Sequence, residues 1–243
     1  MRALPPGGGR CRGVDKRCVV RATSERADWD LSPREAAQRQ RELAGQVVMT
    51  DRFSAIRRIA GIDAGFPDDG QTTRVAIVVM SYPALEQVDE VVIEQPTSFP
   101  YVPGLLSFRE VPAMLSALAR LARTPDVILC DGHGRAHPRR FGSACHLGLL
   151  SGVPTIGVGK SRLCGSFEEP ATERGAWSPL LHNDELIGAV VRTRRKVSPV
   201  FVSCGHGVSL DSAIDLVLDC APRFRLPEPI RGADRLASAR GAD

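Results

Sequence analysis

Between residues 126 and 159 the chain alternates in a way few folds accommodate. An unbroken apolar run, DVILCD (126–131), is followed by PRRFGSACHLGLL (138–150) and then by a second apolar run, PTIGVG (154–159). Short apolar runs without polar alternation are strands covered on both faces, and between them Phe141, Ala144, Cys145 and Leu149 fall on one side of a helix. Strand, helix and strand at this spacing predict a parallel crossover, and with it an α/β fold.

Upstream the period differs. IAGIDAGF (59–66), TRVAIVVMSY (73–82) and VDEVVIEQ (88–95) are β-rich runs separated by the turn-forming PDDGQT and PALEQ, connections short enough to predict an antiparallel meander. Val111, Met114, Leu115, Leu118, Leu121 and Ala122 then mark an amphipathic helix. Ahead of these strands, LSPREAAQRQRELAGQVV opens a helix, with Ser32 as N-cap, Pro33 at the first helical position and Glu35 three residues after the cap. LIGAVVRT and PVFVSC add two strands before a last helix carrying Ile214, Val217, Leu218 and Ala221 on one face. The expectation is a mixed sheet, three antiparallel strands and then parallel strands, flanked by helices, with no internal repeat.

A hydrophobic content of 43% over 243 residues is enough to bury a core, and residues 27–243 read as a single domain. Residues 1–26, rich in Arg, Gly and Pro and without an apolar targeting core, read as a disordered basic extension. No apolar run approaches the roughly 18 residues of a membrane span, so no membrane role is expected. Lys and Arg exceed Asp and Glu by 32 to 28, a mild excess that permits a polyanionic partner without demanding one. The seven cysteines are odd in number, form no C-x-x-C pair and fall partly inside apolar runs. That pattern predicts buried reduced thiols in a cytoplasmic protein, not a disulfide frame or a zinc site.

Two apolar strands carry an aspartate, Asp63 in AGIDAGF and Asp131 in VILCDGHG. Carboxylates are costly in such surroundings, and in open α/β sheets the ligand crevice lies beyond the carboxyl ends of the strands. If the two strands are neighbours, the acids meet and repel unless a cation neutralises them, and a hard ion such as Mg²⁺ suits an oxygen set. The alternative is that each aspartate ends a strand in a turn or caps a helix. Glu110 is a third acid, but Ser107-Phe108-Arg109-Glu110 also has the form of a capping box, a reading that Pro112 weakens. His206 in SCGHGVS lies between glycines and is suited to position a water or protonate a leaving oxygen; otherwise it is a loop histidine with no task. His133, His137 and His146 match no zinc spacing.

In order along the chain, GIDAGF, PYVPGLLSFRE, DGHGRAHPRRFGSACHLGLL, VPTIGVGKSRLCG, GHGVSLDSA and RLPEP resemble the successive motifs of the endonuclease V family, deoxyinosine-directed repair nucleases. The likeness runs from about residue 32 to 238. It implies a ribonuclease H-like fold with Asp63, Glu110 and Asp131 gathered around Mg²⁺, for which Mn²⁺ can substitute, and matches Lys160 and His206 to the family's lysine and histidine. The implied activity is hydrolysis of the second phosphodiester bond 3′ to a hypoxanthine nucleotide, leaving 3′-hydroxyl and 5′-phosphate ends, with weaker action on abasic sites, other lesions and RNA inosine. Gly207 departs from the family pattern, where a basic residue often follows the histidine.

The same resemblance makes Pro100, Tyr101, Val102 and Pro103 a strand-separating wedge; the bland alternative is an aromatic packed under a loop. Gly104, Gly132 and Gly134 would let backbone approach an extruded base, unless they are ordinary turn glycines. Arg139, Arg140 and Arg162, with Arg135, Lys160 and residues 192–196, are candidate phosphate contacts, or a solvated basic face. Two other classes compete. Asp63-Ala64-Gly65 has the D-x-G shape of a phosphate loop in actin-like ATPases and sugar kinases, and a non-catalytic inosine reader would need the pocket and wedge but not the acids. The expected partner is inosine-containing DNA, with RNA as a further substrate, and the expected state a monomer.

Overall fold

The structure, a computed structural model, describes residues 29–238. The predicted basic extension, residues 1–26, lies outside the described residues. The first helix, α1 (Pro33–Ala44), starts where its capping box predicts: Ser32 N–H donates to Glu35 Oε2 at 2.9 Å and Glu35 N–H returns a bond to Ser32 Oγ. Strands β1 (Arg58–Gly65), β2 (Thr72–Ser81) and β3 (Gln87–Pro96) form the antiparallel meander. Helix α2 (Leu106–Leu118) leads to β4 (Val127–Asp131), α3 (Ser143–Ser151) and β5 (Thr155–Gly159), and both β1/β4 and β4/β5 are parallel. Strands β6 (Trp177–His182), β7 (Glu185–Val191) and β8 (Val200–His206) and helices α4 (Leu210–Asp219) and α5 (Glu228–Ser238) complete the chain.

All eight strands form one mixed sheet in the order β3-β2-β1-β4-β5-β8-β7-β6. Parallel pairing is confined to β1, β4 and β5, within the expected mixed sheet, and the far side returns to antiparallel pairing. Only the β6/β7 pair has a local cause. Asn183 and Asp184 both have φ near +60°, the two-residue turn that folds β6 back on β7. Strand β6 escaped the sequence reading because Pro179 interrupts it and its faces alternate, as an edge strand allows.

The unbroken apolar runs have a direct cause, since alternate residues of the central strands feed two different cores. Ala60, Ile62, Ile128 and Cys130 pack with α2 and α3, through Val111, Met114, Leu115 and Leu147. Ile59, Val127, Leu129, Ile156 and Val158 pack on the opposite face with Ile214, Val217 and Ile230 of α4 and α5. Helix α3 begins five residues later than predicted because Arg140 turns the chain at φ +59° and Gly142 takes the N-cap position.

Helix α5 is an addition of the tertiary structure. It lies directly on β1, and Gly61 permits this: a Cβ there would sit 2.1 Å from the Pro229 carbonyl carbon. Among the described residues Cys130, Cys145, Cys204 and Cys220 are buried and free, while Cys164 is half-buried. No helix among them is long and apolar enough to cross a membrane.

Candidate active site

The parallel pairing of β1 with β4 matches Ile62 to Cys130, and one further step along that register brings Asp63 beside Asp131 at the open ends of both strands. Asp234, on α5, reaches the same point. Asp63, Asp131 and Asp234 each offer an oxygen within 4.8 Å of the others. Lys160, just past β5, places Nζ 2.6 Å from Asp131 Oδ2 and 2.5 Å from Asp234 Oδ1. The backbone that carries Lys160 is itself held, since Arg225 donates to the carbonyls of Lys160, Ser198 and Pro199. Asp131 Oδ2 is buried, and the Lys160 ammonium is its close partner.

Crowding shows in the electrostatics. Burial, reinforced by the charge of Asp131, pushes the Asp63 carboxyl up to about 7, with the Ala64 N–H and Lys160 opposing. Burial also raises Asp131, against the pull of Lys160. For Lys160 burial works downward, but the hydrogen bonds and charges of Asp131 and Asp234 outweigh it and hold the ammonium well above its ordinary value.

Glu110 is buried in α2 and accepts a hydrogen bond from Ser143 Oγ at 2.8 Å. Burial drives it up to about 8; the Ser143 bond opposes this, and the charges of Asp63 and Asp131 add to it. It therefore faces the same acids without belonging to the tight aspartate trio. The capping-box reading fails: Ser107 is inside the helix, Leu105 holds the cap position, and no side chain caps it. The phosphate-loop reading of Asp63-Ala64-Gly65 also fails, because these residues are strand, and Gly65 is small where a Cβ would meet the Ala237 carbonyl at 2.8 Å.

This donor set fits a divalent cation. Three aspartate carboxylates, with Glu110 behind them, crowd around a single ammonium, and oxygen ligands select a hard ion over zinc.

His206 does not join the acids. It pairs with Thr155, which pairs with Ile128, whereas Asp131 pairs with Val158. The histidine is therefore three residues back along the strands, roughly 10 Å at about 3.3 Å per residue. Its Nδ1 accepts the Val48 N–H at 3.4 Å, and burial, with the charge of Arg52, lowers its pKa. The histidine expected to position the water thus stands apart from the acids, and Asp234, absent from the sequence-derived candidates, takes a place in the cluster.

Beside Glu110 opens a cavity of about 200 Å³ whose walls include Tyr101, Pro103, Gly104, Gly132, His133 and Ser143. It is several times the roughly 30 Å³ share of one water. Gly132 has φ +142° and open space where a Cβ would stand. Gly104, at φ +78°, also lines the cavity. Gly134 does not: a Cβ there would lie 2.1 Å from the Cys204 carbonyl oxygen, so this glycine serves the contact with β8, not a base. Tyr101 is 70% exposed at the cavity mouth, while the neighbouring Phe99 is buried and Val102 packs against Phe99, Leu105 and Phe108. That excludes the aromatic packed under a loop.

Two of the expected phosphate contacts are engaged within the protein. Arg140 bonds Glu185, the His137 carbonyl and the His182 carbonyl; Arg139 bonds Gln40 and the Gly104 carbonyl. Arg135 also pairs with Glu185. Within 192–196, Arg192 is buried on Glu169 and three carbonyls, and Arg195 pairs with Glu173. Arg162 remains exposed, with one bond to the Gly165 carbonyl.

A ribonuclease H-like sheet with carboxylates converging at the ends of adjacent parallel strands defines a protein with an acidic centre able to hold a cation. The comparisons narrow this class. The endonuclease V family model matches residues 41–235, and the chain belongs to the endonuclease V family. It is 54% identical over 213 residues to endonuclease V of Nostoc sp., covering 87% of this chain and 96% of the relative. The crystal structure of endonuclease V from Streptomyces avermitilis superposes with a TM-score of 0.82 at 44% identity, covering 86% of this chain and 92% of that one. The Ciona intestinalis enzyme, crystallised in complex with a 24mer DNA containing an inosine, superposes with a TM-score of 0.70 at 31% identity, covering 82% and 93%.

Proposed function

We propose that this protein is a metal-dependent endonuclease that recognises deoxyinosine in DNA. It hydrolyses the second phosphodiester bond on the 3′ side of the lesion, leaving 3′-hydroxyl and 5′-phosphate ends. The observation that carries the reading is the juxtaposition of the Asp63, Asp131 and Asp234 cluster with a cavity whose mouth bears an exposed tyrosine. Membership of a family with an inosine-DNA complex supports the substrate.

Asp63, Asp131 and Asp234 would hold the cation, with Glu110 orienting the shell from α2. Mg²⁺ is the expected ion, with Mn²⁺ a working substitute. When bound, such an ion polarises the scissile phosphate and offsets its developing charge. Lys160, held protonated by its two aspartates, keeps a positive charge where the phosphate would enter. Tyr101 fills the step from which the base leaves, as apolar and aromatic wedges do elsewhere, and the stiff prolines around it hold it out of the core. Extrusion costs a few kcal/mol, least for a damaged or mispaired base. Gly132 allows the base edge to approach backbone, and Arg162 is the remaining candidate for a phosphate contact. One chain supplies all of these residues, in keeping with a monomer.

Incubating the protein with a duplex carrying one deoxyinosine, with Mg²⁺ or chelator, and mapping any nick to the nucleotide tests the proposal. A Mg²⁺-dependent nick between the lesion's 3′ neighbour and the nucleotide after it is expected. Binding without nicking would leave a reader of inosine, and an RNA strand with inosine in the same assay separates the two nucleic acids.

A further inference from the structure

Gln40 belongs to none of the motifs, yet its amide is buried against the cavity wall, 1% exposed. Its Nε2 donates to the Gly104 carbonyl at 3.1 Å and to the Phe141 carbonyl at 3.0 Å, and its Oε1 accepts from Arg139 Nε. Both donors and the acceptor are thus in use. The Gly104 carbonyl receives two more bonds, from His137 Nε2 at 3.1 Å and from Arg139 Nη2. The donor assignment of His137 is fixed by its other nitrogen: Nδ1 accepts the Arg139 N–H at 3.1 Å, so Nε2 carries the proton.

These bonds tie together the two walls of the cavity. Gly104 closes the tyrosine loop on one side. Phe141 precedes Gly142 and Ser143 on the other, and Ser143 in turn holds Glu110. One side chain from α1 therefore spans the gap into which a base would pass.

We infer that Gln40 is a positioning residue for base discrimination: it fixes the separation of the Gly104 and Phe141 walls, with Arg139 bracing it from outside. Resting on the inosine reading above, this assigns a specificity role to a helix that touches neither the acids nor the scissile phosphate.

The test compares the affinities of the unaltered protein and of Gln40→Met, which keeps length and volume but no hydrogen bond, for a deoxyinosine duplex and an undamaged one. The ratio of the two affinities is expected to fall about five-fold, the worth of a lost hydrogen bond or so, while the single-turnover rate on bound inosine DNA stays within about two-fold. A residue with only a structural role would lower the melting temperature and leave the ratio unchanged, and that result overturns the inference. Should Gln40→Met not fold, Arg139→Gln cuts the same brace from its partly exposed side and is read by the same ratio. Tyr101→Ala in parallel separates the readings. Unchanged affinity there removes the wedge role alone, whereas no inosine preference in the unaltered protein overturns both the substrate and the Gln40 assignment.

Discussion

At the ends of β1 and β4, Asp63, Asp131 and Asp234 crowd around one lysine, with Glu110 nearby. Across the cavity the balance is reversed, with a single carbonyl, that of Gly104, taking bonds from three side chains. The acidic side is electrostatically frustrated, and a bound cation would relieve it. The cavity side is satisfied internally and is already in shape. A site that must wait for a cation and a phosphate can tolerate the first condition, whereas one that must tell two bases apart needs the second.

The sharpest way to break this contrast is Asp131→Asn. Nicking of inosine DNA should drop by at least about 10²-fold, as for loss of a principal electrostatic stabiliser, with binding largely kept. A wild-type rate in Mg²⁺ would dismiss the acidic centre. Asp234→Asn should weaken cation binding about ten-fold in a metal titration, the loss of one ligating charge in an oxygen site. Tyr101→Ala comes next, with lesion affinity about ten-fold weaker, within the range of one base–aromatic stack, and chemistry on a bound strand little changed.

The frustration itself has a pH signature. Asp63 and Glu110 have folded pKa values raised to about 7 and about 8, above their unfolded values, so the folded protein binds more protons than the unfolded chain across that window. Their contribution is favourable to unfolding once they ionise. Without metal, melting temperature should therefore fall as pH rises from about 5 through 8, and Mg²⁺ should raise it more at pH 8.5 than at pH 5.5. Equal Mg²⁺ stabilisation at both values would show that the cation does not relieve these acids. The smallest effect is expected for His206→Ala, whose nicking rate should stay within about three-fold because strand register keeps the ring away from the acids. A loss as large as that of Asp131→Asn would restore the histidine to the chemistry.

Much of the acidic centre was legible because its chemistry is costly. Asp63 and Asp131 stand out from apolar runs, and an acid at a strand end needs a reason. Asp234 has no such contrast around it: its helix is polar, and nothing in RLPEPIRGADRL marks one acid over another until Gly61 lets α5 lie on β1. His206 misled for the opposite reason. Flanking glycines suggested a ring free to act, whereas Gly205 and Gly207 are parts of a strand end and turn packed on Thr155 and Arg52. For Arg139 and Arg140, charge was visible but not its use, since Glu185 and the Gly104 carbonyl come from distant parts of the chain. Gln40 did leave a trace, lying with Ala36 and Leu43 at four- and three-residue spacing on the buried side of α1.

Periodicity, capping and the cost of lone carboxylates are local matters, so the sequence by itself determined the meander, the parallel crossover and two of the acids at its open end. Tertiary structure decided the return to antiparallel pairing beyond β5, the arrival of Asp234, the distance of His206 from the acids and the bracing of Gly104 by Gln40. Each depends on strand register or on a close backbone approach between residues far apart in the chain. Such pairings have no signature in either partner's immediate neighbourhood, because the energy that selects them appears only when both are present.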